Sequence, residues 1–511
     1  MRNLRILVVT LICFLFGVVP ALAKGDTLTL AMPMEARILD PHLTAMSGCQ
    51  SVNRQMFESL VGFDKDGNVI PLLAERWEAL PDGKSWKFYL KKGIKFHNGD
   101  EMTADDVVFT FKRVRSPETA AIHGLSMYID PEGAEKVDDY TVILRTTVPQ
   151  PAIFLASMNH PWTSIVSKKA ILEAGKDSGT KPVGTGKFKF DSWVKGDRIT
   201  LLRHDDYHGE KAKLKKMVIR TLVESSTRTI ELESGGIDLA MDPPSVDIKR
   251  LQSDPNLKVF MLPGQRQYLL GFDVNQPPYD DPRVREAFSL ALDREGIVKV
   301  VFRGYAAPSR GLFSEAVKYN KYEQTPPIKR DLERAKQLLK EAGFPKGFEK
   351  CELLTSDRTD YLNIATVIQE NLRSIGLEVP IRVYEYGTYV DVMRQPKRQP
   401  VVHNWYGGAP ALDPFFFTTM FWHSSAAGQL NLTYFRDAEV DALLDKGASL
   451  PDGPEREAAY GEIWDRVNAA VPAAFLATPS NNFAAIKELE GIHYTPSLIN
   501  YFGDAYFSDA K

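Results

Sequence analysis

The stretch Ser85-Trp86-Lys87-Phe88-Tyr89-Leu90-Lys91-Lys92-Gly93-Ile94-Lys95-Phe96-His97-Asn98-Gly99 runs through Asp100-Glu101-Met102 into Thr103-Ala104-Asp105-Asp106-Val107. Trp86, Phe88 and Leu90 alternate with polar residues, the period of a half-buried strand. Asn98-Gly99 is a strong turn signal. Thr103 followed three residues later by Asp106 fits a capping box, in which a hydroxyl and a carboxylate take the free N–H groups of a helix start. Val107, Val108, Phe111 and Val114 then recur at helical spacing. Strand, turn and capped helix follow one another within thirty residues.

The same succession returns farther along. Asp281-Pro282 places a cap and a first-turn proline ahead of Val284, Ala287, Phe288, Ala291 and Leu292. Asp331 opens another helix that stops at Gly343, with Pro345 beyond it. Tyr361 to Ile375 makes a third, ended by Gly376 and followed by the strand Glu378-Val379-Pro380-Ile381-Arg382-Val383. Strands alternating with helices over 511 residues predict an α/β protein of several domains, not a sandwich or a bundle. Turn formers cluster at Asp64–Gly67, Lys176–Gly186 and Gln276–Asp281, where boundaries are expected.

Composition narrows the class. Lys and Arg number 63 against 66 Asp and Glu, and 44% of residues are hydrophobic. Disordered, collagen-like and membrane-spanning classes are excluded by these values, and a net charge of −3 gives no reason to expect nucleic acid or an anionic membrane as partner. The first 23 residues read as a signal peptide. Arg2 and Arg5 precede the apolar run Ile6–Val19, Pro20 breaks it, and Ala21-Leu22-Ala23 is a small–x–small cleavage site. That run is too short to span a bilayer of about 30 Å. No cysteine follows the site, so a lipid anchor is not expected, and the mature chain is read as exported and periplasmic. Cys13 leaves with the signal. Cys49 and Cys351 are read as two isolated thiols, since two cysteines so far apart are no disulfide framework.

Signatures of chemistry are few. There is no G-x-S-x-G elbow, no H-E-x-x-H helix and no C-x-x-C. Lys181-Pro182-Val183-Gly184-Thr185-Gly186-Lys187-Phe188 looks like a phosphate loop but has Phe188 where Ser or Thr would hold Mg²⁺, so a glycine-rich turn before a strand at Phe188–Trp193 is expected. His204-Asp205-Asp206-Tyr207-His208 spaces two imidazoles as on a metal-binding helix, yet Gly209 follows at once, and a surface loop is predicted. The densest signal is aromatic. His403-Asn404-Trp405-Tyr406-Gly407-Gly408 leads to Asp413-Pro414-Phe415-Phe416-Phe417, with Phe421-Trp422 behind. These rings beside glycines and prolines make poor helix and suit a strand ending in a loop over a cavity. A buried aromatic cluster at a domain seam is the alternative.

Several blocks, in order, resemble one family. They are Leu39-Asp40-Pro41-His42, Pro71-Leu72-Leu73-Ala74-Glu75-Arg76-Trp77, the Trp86–Gly99 stretch, Pro182-Val183-Gly184-Thr185-Gly186, and Pro277-Pro278-Tyr279-Asp280-Asp281-Pro282-Arg283. Their order and spacing resemble the peptide- and nickel-binding solute receptors of ABC importers, the group of dipeptide- and oligopeptide-binding proteins, over essentially the whole mature chain. The resemblance implies a two-lobed, type II periplasmic binding fold with an extra inserted domain. Domain I would comprise 24–62, 184–272 and 482–511, domain II 63–183, and domain III 273–481. Crossings near Phe272–Asn275 and Ser480–Phe483 would act as hinges for closure over a ligand.

The resemblance also implies pocket positions. Glu35 precedes the Leu39-Asp40-Pro41 block, Arg266 and Leu269 fall on the crossing strand, and Arg358 lies where such receptors place groups for a ligand carboxylate. Trp405 matches a pocket tryptophan, with His403, Asn404 and Tyr406 beside it. Three residues after that tryptophan, peptide receptors carry an Asp for the peptide ammonium; here it is Gly408, for which Asp413 or Glu35 would have to substitute. The function implied is capture of a peptide or similar small polar solute for an ABC permease, by a monomer that is no enzyme and carries no cofactor or resident metal. A nickel or haem receptor of the same fold would need histidines such as His403, His423 or His123 in the cleft. A secreted hydrolase would need a nucleophile–base pair or facing carboxylates there.

Overall fold

Thr27–Met32 is the central strand of a seven-stranded sheet. Its neighbours Lys216–Thr221 and Leu239–Met241 both run parallel to it, and such strands need cover on both faces. Across the sheet the order is Leu257–Leu262, Asn481–Ile486, Leu239–Met241, Thr27–Met32, Lys216–Thr221, Arg198–Arg203 and Phe188–Val194. The computed structural model describes residues 25–44, 46–63, 69–116, 119, 129–147, 149, 154–155, 158, 160–348, 351–405, 412–494 and 499–508.

A second sheet holds six strands in the order Ala306–Pro308, Ala473–Pro479, Gln267–Gly271, Val401–Trp405, Leu353–Ser356 and Ile381–Tyr384. Leu353–Ser356 is parallel to both its neighbours. Gln267–Gly271 is antiparallel to Val401–Trp405 and to Ala473–Pro479. A third sheet, Ala74–Ala79, Ser85–Leu90, Thr141–Thr146 and Ile129–Asp138, is entirely antiparallel. Its core gathers Phe88, Ile94, Phe96, Val107, Phe111 and Trp162.

The local expectations around the opening stretch are met. Ser85–Leu90 is a strand, and Gly99 adopts φ +90°, a conformation that suits a residue without Cβ. The Thr103 N–H donates to Asp106 Oδ2 at 3.0 Å to close the capping box of the helix Ala104–Val114. The Asp281 and Asp331 carboxylates cap the helices Pro282–Ala291 and Leu332–Glu341. In the phosphate-loop lookalike, a Cβ at Gly184 would lie 2.1 Å from the Met56 carbonyl oxygen. The glycines therefore admit a neighbouring backbone, and the turn precedes the strand Phe188–Val194.

Four expectations are corrected. The aromatic run Phe415–Trp422 is an α-helix, and its rings pack into a core with Phe313, Tyr460 and Trp464. Burial on several sides outweighs the weak helix propensity of aromatics. The strand placed at 378–383 is Ile381–Tyr384. Around His204 the chain is irregular, as expected, but it is not a surface loop: His204 is 4% exposed and its Nδ1 donates to the Gly186 carbonyl. Tyr207 and His208 donate to Glu58 at 2.6 and 3.0 Å. Finally, Gln267–Gly271 belongs by pairing to the second sheet, so the first crossing is residues 263–266 and not Phe272–Asn275. Cys49 and Cys351 are free and buried, each in a different core.

Candidate functional site

Strand direction brings two sheet edges together. Leu257–Leu262 and Leu239–Met241 are both antiparallel to Asn481–Ile486, so they run the same way as the parallel strands of the first sheet. Leu262 therefore ends at the edge where Met32, Thr221 and Met241 end. From there the chain crosses to Gln267, which pairs with Trp405 at the carboxyl end of the second sheet's parallel strands. The return crossing leaves from Pro479 at that edge and enters at Asn481, opposite Leu262. Both crossings thus join the carboxyl-terminal edges of the two sheets. In open α/β sheets that edge is where ligands bind.

The crossings themselves are tightly apposed. A Cβ on Gly264 would lie 2.0 Å from the Pro479 carbonyl oxygen, so only glycine allows the two segments to lie side by side here. Ser480 N–H and Oγ both donate to the Tyr305 carbonyl at 3.1 Å.

On the second sheet's edge stand Arg358, Tyr386 and the end of Val401–Trp405. Arg358 is exposed at the start of the helix Thr359–Arg373, and its guanidinium lies 5.6 Å from the Tyr361 ring and 5.1 Å from the Tyr386 ring. Its ion pair with Asp360 is long, 3.7 Å. Asp360 also accepts the Tyr268 hydroxyl. Arg266, half-buried in the crossing, completes this group. Burial alone would lower its pKa, but Tyr268, Asp242 from the first sheet and Asp360 from the second reverse the sign and raise it. Glu35 stands on the first sheet's edge, where its Oε1 accepts the Gly196 N–H at 2.7 Å.

Other expected site residues sit elsewhere. Leu269 is fully buried with Phe475 and Trp422 in the aromatic core. The second sheet is covered on both faces, so Tyr268 and Leu270 face one core and Leu269 the other. A two-residue period cannot point a central-strand residue at solvent when both faces are covered. Asp413 is 4% exposed, and its carboxylate accepts both Nη atoms of the buried Arg456 at 2.7 and 2.8 Å. Its carboxylate is taken up by that pair rather than left to replace the ammonium-binding Asp whose position Gly408 occupies. His403 is 1% exposed; burial, with Arg398 nearby, drives its pKa down to about 3, and it is neutral above that pH. Asn404 is half-buried opposite Tyr268. Trp405 ends its strand opposite Gln267, while Tyr406, Gly408 and His123 lie outside the described residues. His423 caps a short turn and lies 3.6 Å from Asp445. Among the described residues no three His, Cys, Asp or Glu side chains form a group suited to a metal ion, and no helix is long and apolar enough to cross a membrane.

Sequence reasoning missed Tyr268, Asp360, Tyr386 and Asp242. Each acquires its place only through pairing or a loop end, and no local motif marks it.

Comparison with known proteins agrees with this geometry. Residues 68–429 match the family described as bacterial extracellular solute-binding proteins, family 5 Middle. The chain is 28% identical over 478 residues to the glutathione-binding protein GsiB of Pectobacterium atrosepticum, covering 91% of each. It is 31% identical over 448 residues to heme-binding protein A of Haemophilus influenzae, covering 82% of this chain and 81% of that protein. Its fold matches the ABC transporter-associated periplasmic binding protein DppA from Helicobacter pylori, solved in complex with the peptide STSA, with a TM-score of 0.80 and 30% identity over 94% of this chain and 98% of that one. The two-lobed α/β architecture is accordingly that of type II periplasmic binding proteins. With the family match spanning most of the sequence, the chain belongs to family 5 of the bacterial extracellular solute-binding proteins, the solute-capturing components of ABC importers.

Proposed function

We propose that the chain captures a peptide, or a comparable small polar solute, between the two facing sheet edges and delivers it unaltered to the transmembrane subunits of an ABC permease. The observation that carries this reading is the junction of both carboxyl-terminal edges by the paired crossings, with Arg358 exposed on one of them. A guanidinium takes a carboxylate in two parallel hydrogen bonds, and the long Asp360 pair leaves Arg358 little to give up in doing so. Trp405, at the end of the strand beside the crossing, is assigned to stacking on the solute. Closure is a population shift, in which the bound solute favours the state that gives it contacts from both lobes.

The reading includes a monomeric mature protein beginning after Ala23, with domain I closing at the 263–266 crossing and domain II inserted within it. Calorimetric titration against short peptides with free and amidated C-termini tests it. Free carboxylates are expected to bind at least tenfold more tightly, and Arg358→Ala to erase the difference. Equal binding of both forms removes Arg358 from the site, and hydrolytic turnover without retained solute ends the reading. The similarity to heme-binding protein A supports a second cargo class, haem. An absorbance titration with haem distinguishes it from peptide.

A further inference from the structure

A cavity of about 260 Å³ opens away from the crossings, where the first sheet meets the third sheet's core. The strand Phe188–Val194 is antiparallel to Arg198–Arg203, which is antiparallel to Lys216–Thr221. Phe188–Val194 therefore runs with the parallel strands, and its first residues stand at the amino-terminal edge, opposite the edge that faces the second sheet. Lys189 and Phe190, near its start, line the cavity. Lys181, Pro182 and Val183 join them from the glycine-rich turn, and His97 and Asn98 from the Asn98-Gly99 turn. Phe190 packs against the first sheet's core and Val183 against the third sheet's core, so the walls belong to both. Three hydrogen bonds hold the two turns together: His97 N–H to the Gly184 carbonyl at 2.9 Å, Gly184 N–H to His97 Nδ1 at 3.3 Å, and His97 Nε2–H to the Gly186 carbonyl at 3.0 Å.

These bonds use both ring nitrogens of His97. Burial, reinforced by the charge of Lys189, holds its pKa down to about 3, so the imidazole is neutral. The Asn98 amide is spent on Asp100, donating to Oδ2 at 2.8 Å and accepting the Asp100 N–H at 3.2 Å. What remains are two lysines. Lys181 has a long pair with Asp177, 3.8 Å, in which both side chains are exposed and little is held. Lys189 is half-buried, and among the described residues its ammonium has no hydrogen bond or ion pair. No acidic residue lines the cavity among the described residues, although the chain as a whole carries −3. An ammonium withdrawn from water without a counter-charge is unfavourable, and an anion placed between the two lysines removes that cost.

We propose that this cavity is a binding site for a small dianion of the phosphate type, held between Lys181 and Lys189 with Pro182, Val183 and Phe190 around it. Both charged groups are ammonium point charges on separate segments, the form in which lysine binds phosphate, and the lining holds no arginine fork of the kind that takes a planar carboxylate. The inference goes beyond solute capture and does not depend on it. An anion here touches the first sheet and both turns at once, so its effect falls on this junction and not on the cleft.

The test titrates inorganic phosphate into the full mature chain by calorimetry at neutral pH and constant ionic strength, with sodium chloride as the balancing salt. Saturable binding of one equivalent is expected. Lys189→Gln should weaken it about tenfold, the worth of one charge-assisted hydrogen bond, and Lys181→Gln by less. Lys299→Gln, on the helix Arg294–Val301 beside the second sheet, should leave it unchanged. Phosphate should also slow amide exchange at residues 97–98 and 181–184. Arg358→Ala separates this site from the cleft, whose exposed guanidinium takes phosphate as readily as carboxylate. Phosphate binding unchanged in Arg358→Ala and weakened in Lys189→Gln supports the junction cavity. Binding lost in Arg358→Ala and kept in Lys189→Gln places the anion in the cleft and overturns the proposal, as does a phosphate response no different from that of chloride.

Discussion

Arg113→Met removes one charge and keeps the aliphatic stem. In the native protein, Arg113 on the helix Ala104–Val114 donates to both oxygens of Asp40, Nη1 to Oδ1 at 2.9 Å and Nη2 to Oδ2 at 2.6 Å. The Ser178 hydroxyl at 2.9 Å and the His42 N–H at 3.0 Å also donate to that carboxylate. Arg113 Nη1 further donates to His42 Nδ1 at 2.8 Å, which leaves Nε2–H to donate to the Ser164 carbonyl at 3.0 Å and fixes a neutral imidazole. The Leu39-Asp40-Pro41-His42 block is thus a buried junction between the first sheet's core and the helix Ala104–Val114 of the third sheet's core. The Asp40 side chain has no exposure and that of Arg113 only 13%. Burial would raise the Asp40 pKa, but the Arg113 hydrogen bonds and charge, with the His42 N–H, outweigh it and hold the carboxyl below its ordinary value. Breaking such a pair leaves a buried charge uncompensated and costs about 3–5 kcal/mol. A depressed carboxyl stabilises the fold above the unfolded value of about 4 and loses that contribution as pH falls through the folded value. In the variant the same carboxyl moves up, so the deficit is full at pH 7 and narrows as the pH approaches about 4. Urea unfolding followed by tryptophan fluorescence at pH 7 and pH 4.5 measures both, and Asp40→Asn added to Arg113→Met should recover part of the loss. A deficit under about 1 kcal/mol at pH 7, or one unchanged at the lower pH, refutes the reasoning.

Two further outcomes are expected. Leu269→Ala should cost about 2–5 kcal/mol as a core cavity while leaving the dissociation constant for bound peptide within about twofold, measured by unfolding and calorimetry; a large loss of affinity at unchanged stability would return Leu269 to the pocket. Unfolding of the mature chain without reductant should release two titratable thiols, from Cys49 and Cys351, and reductant should leave the melting temperature unchanged.

How much was legible depended on whether a residue's partners lay nearby in sequence. Thr103 and Asp106, Asp281 and Asp331 act within one helical turn, and their roles read directly. The family blocks carried the fold because their order reports the whole topology. The surroundings of Leu269 and Asp413 were not legible for one reason: each is defined by a distant partner, the aromatic core with Phe475 and Trp422 for the first and Arg456 for the second. The Phe415–Trp422 helix was hidden because its rings are poor helix formers until the core with Phe313, Tyr460 and Trp464 buries them. Arg228, whose buried guanidinium donates to the Leu222, Val223, Met241 and Asp242 carbonyls, left no trace at all, since only strand order makes those segments adjacent. Gly264 is similar, needed for contact with a residue more than two hundred positions away. Arg358 and Glu35 were placed from the resemblance, and both stand at the strand ends that face across the crossings.

The central claim is that a solute held between the two edges draws the lobes together about the segments 263–266 and 479–481. Small-angle scattering during titration with a peptide that calorimetry shows to bind tests it most directly. The account predicts a radius of gyration that contracts in step with occupancy and stops at one equivalent. A fully occupied protein whose scattering matches that of the free one would contradict it.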